Sequence, residues 1–172
     1  MNLQSTDFEL FGVPAQFVQD GAALDARWKE LQREAHPDKF AAQGAAAQRV
    51  AMQWSVRINE AYRRLKNPLQ RASYLCELNG VPIAADTNTA MPAEFLMQQM
   101  QWREDLEDAT SVDALEAIAL QTRDGSRDLV SALQKALDDE KDFASAARII
   151  RSLMFIERFA AEVDARIEQM EE

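Results

Sequence analysis

Apolar residues recur along most of this chain with a helical period rather than the alternation of a strand. Over residues 20–36, Leu24, Trp28, Leu31 and Ala35 share one side of a helix turning roughly 100° per residue. Asp20 caps its start, while Lys29, Arg33 and His36 gather on the opposite side. A longer helix is predicted from Ala45 to Lys66, with Val50, Trp54, Ile58, Ala61 and Leu65 as its buried stripe. Trp28 and Trp54 are thus expected in a core that joins two antiparallel helices. Ahead of this pair a short helix carries Phe8, Leu10 and Phe11, capped by Ser5, Thr6 or Asp7 and stopped by Gly12 and Pro14. After it, Pro68 suits the first turn of a fourth helix, PLQRASYLCELNG, closed by Gly80.

The two longer helices are separated by Arg33-Glu34-Ala35-His36-Pro37-Asp38-Lys39-Phe40, which holds the only histidine of the chain. Proline disfavours helical geometry in the residue before it, so Pro37 ends the helix that carries His36. Asp38 follows as a turn or capping residue. His36, Pro37 and Asp38 are therefore expected at the exposed tip of a helical hairpin, a plausible contact point for a partner.

Residues 81–91 combine proline with small polar residues and are expected as a linker or extended connection. Three further helices follow, over about 92–108, 112–139 and 143–170, with Ser111 capping the middle one. Gly125 within that helix costs roughly 1 kcal/mol against alanine and suggests a bend. Short connections between long helices favour an antiparallel three-helix bundle. Phe95, Trp102, Leu106 and Ala109 face its core, whereas Leu96, Met97 and Met100 point away by roughly 100–200°. On the last helix Ile149, Leu153, Ile156, Ala160, Val163 and Ile167 form the buried stripe, and Phe155 projects off it. These extra apolar residues either pack on the first module or a second copy, or form a binding patch in which flexible methionines suit an adaptable surface.

Composition narrows the function. With five Gly and five Pro among 172 residues and no run of alternating β-branched residues, the fold class is all-α. Residues 1–68 carry nine Lys/Arg against eight Asp/Glu, and the remainder ten against twenty-one, which suggests two modules with different partners. Neither has the clustered positive charge of a nucleic-acid binder. No apolar run is long enough to span a membrane, and the start shows no signal-peptide pattern. Cys76 alone makes no internal disulfide, which suits a reducing cytoplasm; on its helix it is expected as a packing residue. One Cys and one His are too few for a zinc site or a protein-held iron–sulfur cluster, so no metal or cofactor is expected.

His36-Pro37-Asp38 between two such helices resembles the HPD signature of the J-domain co-chaperones, which stimulate ATP hydrolysis by DnaK-class chaperones. The helix order of residues 1–80 is similar to a J domain throughout. It departs at Ala35, where J domains usually place an aromatic residue; alanine there weakens local packing. The resemblance implies that His36, Pro37 and Asp38 contact the chaperone's nucleotide-binding domain and linker, with Lys29 and Arg33 steering the approach. The chain lacks the Gly/Phe-rich region and zinc-binding repeats of DnaJ-like general co-chaperones.

A narrower likeness rests on EFLMQQMQWREDLED and PLQRASYLCELNG joined to the HPD module: together they resemble the HscB family of iron–sulfur cluster assembly. In that family the C-terminal bundle, here 92–172, binds the scaffold protein IscU and delivers it to the chaperone HscA. Carried over by position, the likeness implies a scaffold-binding surface of Leu96, Met97, Met100, Arg103, Glu104 and Phe155. Gln98 and Gln101 depart from the resemblance, standing where the family has glutamates. The longer eukaryotic relatives carry a cysteine-rich extension and a targeting segment, so a bacterial cytoplasmic member, monomeric or weakly dimeric, is expected. Two other readings are a J-domain adaptor for a different client and an enzyme using His36 and Asp38 as an acid–base pair, which would need a pocket and a third polar group.

Overall fold

The computed structural model describes residues 2–172. Seven α-helices appear among them: α1 (Asp7–Phe11), α2 (Gly21–Ala35), α3 (Ala45–Lys66), α4 (Pro68–Leu78), α5 (Ala93–Asp108), α6 (Val112–Gln134) and α7 (Phe143–Glu171). A 3₁₀ segment, Pro37–Gln43, joins α2 to α3, and a π-helical turn, Lys135–Asp139, ends α6. The chain divides into two units, one ending at Leu75 and the other beginning at Cys76, so the division falls inside α4. No helix among the described residues is long and apolar enough to cross a membrane.

In the first unit, Thr6 caps α1, its Oγ1 accepting from the Glu9 N–H at 3.1 Å. Asp20 does the same for α2, with its Oδ1 3.0 Å from the Ala22 N–H. The antiparallel pairing of α2 with α3 is set by a polar seam as much as by apolar contact. Asn59 Oδ1 accepts from Trp28 Nε1–H at 2.9 Å and from Gln32 Nε2–H at 2.8 Å, and Ser55 Oγ–H donates to Gln32 Oε1 at 2.9 Å. Each bond answers a polar group that half-burial would otherwise strand. Trp28 is accordingly a half-buried bridge rather than a fully enclosed core residue, and Trp54 is half-buried too.

The stripe of α3 departs from expectation at its start. Ala51, Ile58, Ala61 and Leu65 are buried, but Val50 is 52% exposed. It borders an open apolar cleft of about 530 Å³, lined among others by Leu31, Ala35, Phe40, Val50, Ala51 and Trp54.

Asp7, expected as a possible cap, is fully buried and holds α1 against α3. Its carboxylate accepts from Arg64 Nε and Nη2 at 2.5 and 2.9 Å, and its Oδ1 forms an ion pair with Arg57 Nη1 at 2.8 Å. The Asp7 backbone N–H donates to Tyr74 Oη of α4 at 3.0 Å, and Arg64 lies 4.0 Å over the Tyr74 ring. Arg71 of α4, also buried, donates from Nε to Phe17 O at 2.6 Å and from Nη1 to Leu65 O at 2.5 Å. The planar guanidinium thus satisfies carbonyls of the α1–α2 connection and of the end of α3 together.

The second unit is built from α5, α6 and α7. Phe95, Trp102, Leu106, Leu115, Ile118 and Phe159 are among its core residues. Ser111 Oγ caps α6 by accepting from the Ala114 N–H, and Asp142 Oδ1 caps α7 by accepting from the Ser145 N–H, both at 3.1 Å. The α7 stripe of Ile149, Leu153, Ile156 and Val163 is buried as expected, but so are Ala146, Ile150, Arg151, Ser152, Phe155 and Phe159. This helix is therefore enclosed over most of its circumference in its first half.

Gly125 marks no break, because α6 runs through it. A Cβ at that position would stand 3.0 Å from Trp102 Cη2, so the glycine makes room for the indole. Cys76 is fully buried, its Sγ 3.8 Å from Phe143 O, and burial pushes its thiol pKa up to about 11. It is a packing residue with no thiolate chemistry at neutral pH.

Residues 81–91 do not behave as a free linker. Ile83 is buried, and Arg151 of α7 donates from Nε to Ile83 O and from Nη1 to Ala90 O, both at 3.0 Å. Replacing Arg151 with methionine removes two charge-assisted bonds, leaves the buried Ile83 carbonyl unpaired and returns that of the exposed Ala90 to water. At roughly 1–3 kcal/mol for the buried group, the expected loss is about 2 kcal/mol in urea unfolding, with faster protease cleavage inside 81–91. Unchanged stability and cleavage would sink this role for Arg151.

Candidate functional site

Two surfaces collect the residues singled out from the sequence. The first is the α2–α3 hairpin tip. Helix α2 stops at Ala35 because Pro37 cannot continue its ladder, and His36 takes an extended conformation (φ −63°, ψ 128°) as its cap. Pro37 then opens the 3₁₀ segment. The capping acceptor is the His36 ring and not the Asp38 carboxylate: Nδ1 accepts from the Asp38 N–H at 3.2 Å. That bond places the proton of the neutral ring on Nε2, leaving an N–H donor. Asp38 Oδ2 lies 3.7 Å from Nδ1, and the two side chains are 56% and 92% exposed.

The tip is therefore shaped by local hydrogen bonding while its polar groups remain in water. Lys29 and Arg33 on α2 are exposed as well, as is Lys39 beyond the tip. Three cations bordering a rigid turn can attract and orient an acidic surface. An acid–base role for His36 and Asp38 gains nothing here, since solvent-exposed groups lack the enclosure that tunes such pairs.

The second surface lies on α5. Leu96, Met97 and Met100 are 43%, 74% and 71% exposed, while Phe95, Trp102 and Leu106 on the same helix are buried. Helix α5 therefore has two apolar faces, and only one is consumed by the bundle. Glu104 is exposed beside them. Arg103 is about half exposed and is held by a residue that the periodicity did not single out, Glu162 of α7: Nη1 to Oε2 is 2.7 Å and Nη2 to Oε1 is 3.1 Å. The guanidinium carbon stands 5.5 Å from the centre of the Phe155 ring and 5.2 Å from that of Phe159.

Phe155 is the exception among the expected surface residues. It is only 5% exposed, packed edge-on to Phe95 at 5.8 Å and stacked on Phe159 at 5.6 Å. Its position off the α7 stripe is real, but that side of α7 faces the aromatic residues of α5 and the covering Arg103. Among the described residues, no cluster of three His, Cys, Asp or Glu stands together as a metal site.

Hydrogen bonds from Arg103 hold the Glu162 carboxyl below the usual glutamate range, and Glu162 in turn raises the Arg103 pKa. A carboxyl whose folded pKa is depressed adds stability above its unfolded value and loses it as pH falls through the folded one. The gap in melting temperature between the protein and Glu162→Gln is thus expected at neutral pH, narrowing as the pH drops through and below the ordinary carboxylate range. The gap is small because the pair is exposed. A difference that grew on acidification would contradict the pairing.

With this geometry in place, the comparisons are informative. The family described as the HSCB C-terminal oligomerisation domain matches residues 91–164. A co-chaperone protein HscB homolog of Burkholderia vietnamiensis is 53% identical over 174 residues, covering 99% of each chain. Among solved structures, chaperone HscB from Vibrio cholerae is 37% identical with a TM-score of 0.78, over 96% of this chain and 99% of its own. Human co-chaperone protein HscB is 27% identical with a TM-score of 0.82, over 98% of this chain and 83% of its own.

Proposed function

This chain belongs to the HscB family of J-domain co-chaperones in iron–sulfur cluster assembly, and from that membership we propose that it binds the scaffold protein IscU, delivers it to the chaperone HscA and stimulates HscA ATP hydrolysis. The first module, residues 1–80, engages the chaperone through His36, Pro37 and Asp38, with Lys29 and Arg33 steering the encounter. The module of residues 92–172 holds the scaffold on Leu96, Met97, Met100, Arg103 and Glu104. The protein works as a cytoplasmic adaptor, without catalytic chemistry of its own.

One observation carries this reading: α5 keeps a second apolar face in water after the bundle core is complete. Exposed apolar clusters of this kind mark interaction sites, and methionines let such a face adapt to its partner. Phe155 supports that surface from beneath, packed under Arg103. Carrying both sites on one chain raises the effective concentration of the scaffold at the chaperone. Stimulation requires that the tip bind the hydrolysis-competent arrangement of the chaperone better than the resting one; affinity alone shifts nothing.

The description of residues 91–164 as an oligomerisation domain supports a second use of the same face. In that reading a second copy competes weakly with the client for Leu96, Met97 and Met100, giving a monomer that dimerises weakly. An adaptor for a different client would keep the tip and change what the α5 face captures.

His36→Gln removes an exposed ring whose loss leaves the cores intact, so the variant is expected to bind IscU normally while HscA turnover falls to its unstimulated rate. Equal stimulation by both proteins would refute the role of the tip. For the client surface, Leu96→Ala with Met97→Ala is the clean test, because truncating the buried Phe155 would cost about 3–5 kcal/mol of stability. Calorimetry should show IscU affinity reduced by over about 2 kcal/mol, roughly thirtyfold; undiminished affinity would remove the α5 face from the site.

A further inference from the structure

On α7, Glu162 supplies Arg103 with the ligand that a guanidinium at a docking surface ordinarily seeks from a partner. Both terminal nitrogens are engaged by the two oxygens of one carboxylate, at 2.7 and 3.1 Å. A guanidinium fork that has accepted one carboxylate in this bidentate manner cannot offer the same edge to another. The pair is also electrically neutral as a unit. Its guanidinium carbon stands over the Phe155 and Phe159 rings, 5.5 and 5.2 Å from their centres, within cation–π range of both. Leu96, Met97 and Met100, the exposed apolar residues, lie on the same helix as Arg103.

Building on the client-binding reading above, we infer that Glu162 is a positioning residue of the client surface: it pins Arg103 as a flat, charge-neutralised tile over the two rings, so that the client segment docked there is apolar and uncharged rather than acidic. Arg103 then contributes covered area and fixed shape. Holding the long side chain in place beforehand removes an ordering cost that binding would otherwise meet, generally about 0.5–1.5 kcal/mol per side chain, or up to roughly tenfold in affinity.

The alternative, in which Arg103 is an anion receptor and Glu162 its internal competitor, makes opposite predictions. IscU affinity is measured by calorimetry for the full chain, for Glu162→Gln, for Arg103→Met, and for Arg103→Met combined with Glu162→Met. The tile predicts that Glu162→Gln, which leaves an unpinned and uncompensated cation, weakens binding by about three- to tenfold. It also predicts that the double methionine variant, apolar and neutral, binds within about threefold of the parent. An anion receptor predicts the reverse: tighter binding with Glu162→Gln, and large losses in both variants that lack Arg103. Either that pattern or an unchanged affinity in Glu162→Gln overturns the inference.

A second readout needs no client. In the free protein the Arg103 Nε–H should be ordered by nitrogen relaxation and become mobile in Glu162→Gln, a change that bulk stability would not register. An Arg103 side chain that stays ordered in the variant also overturns the assignment. Should the parent chain fail to bind IscU at all, the client reading itself falls and takes this one with it; that outcome is recognised from the parent measurement alone.

Discussion

Guanidinium groups reaching the backbone of connections and helix ends brace each unit of this protein from within. Long helices satisfy their own carbonyls, but the connections between them do not, and a carbonyl buried without a donor is costly. Arg71 answers this for Phe17 and Leu65, and Arg151 for Ile83 and Ala90. Arg57 reaches Leu3 O and Ser5 O ahead of α1, and Arg166 reaches Leu106 O and Ala109 O at the end of α5. The rigid donor fork spans two acceptors at once, which a lysine ammonium with its single point charge does less well. Asp7 reverses the pattern, a buried carboxylate gathering two arginines so that α1 cannot lift from α3.

The residues proposed to meet partners stay in water on firmly held elements. His36 is exposed, yet its ring is tied to the Asp38 N–H and its backbone is constrained by Pro37. Leu96, Met97 and Met100 are exposed, yet they project from a helix whose opposite side is anchored by Phe95, Trp102 and Leu106. In both places a rigid element presents side chains that the interior does not need. Surplus of that kind separates a binding surface from an accidental apolar residue.

Much of this was legible before the structure. The helices over Ala45–Lys66 and from Phe143 onward, the caps Asp20 and Ser111, and the division of α5 into two faces all follow from periodicity, which reports on which side of a helix is apolar. Periodicity does not report what stands opposite. Phe155 was expected outside because it leaves the α7 stripe, but α5 supplies aromatic neighbours on that side. Val50 is expected inside, but it borders an open apolar cleft that it shares with Ala35. Residues 81–91 read as a linker or extended connection because Pro82 and small polar residues give that composition; what holds them is Arg151, some sixty residues away in the chain. Glu162 had no signal beyond its place one turn after Phe159. Contacts between distant segments leave no local mark, and each of these misses is of that type.

Gly125 and Trp102 carry a consequence of another sort. The indole lies so close to the α6 backbone that any Cβ would strike it, and on its other sides it is held by Phe95 and Phe159. A methyl at position 125 asks the indole to give way by a few tenths of an ångström, and a smaller side chain at 102 leaves a void beside the glycine. The approach of α5 to α6 is thus gauged by one ring edge against one bare Cα.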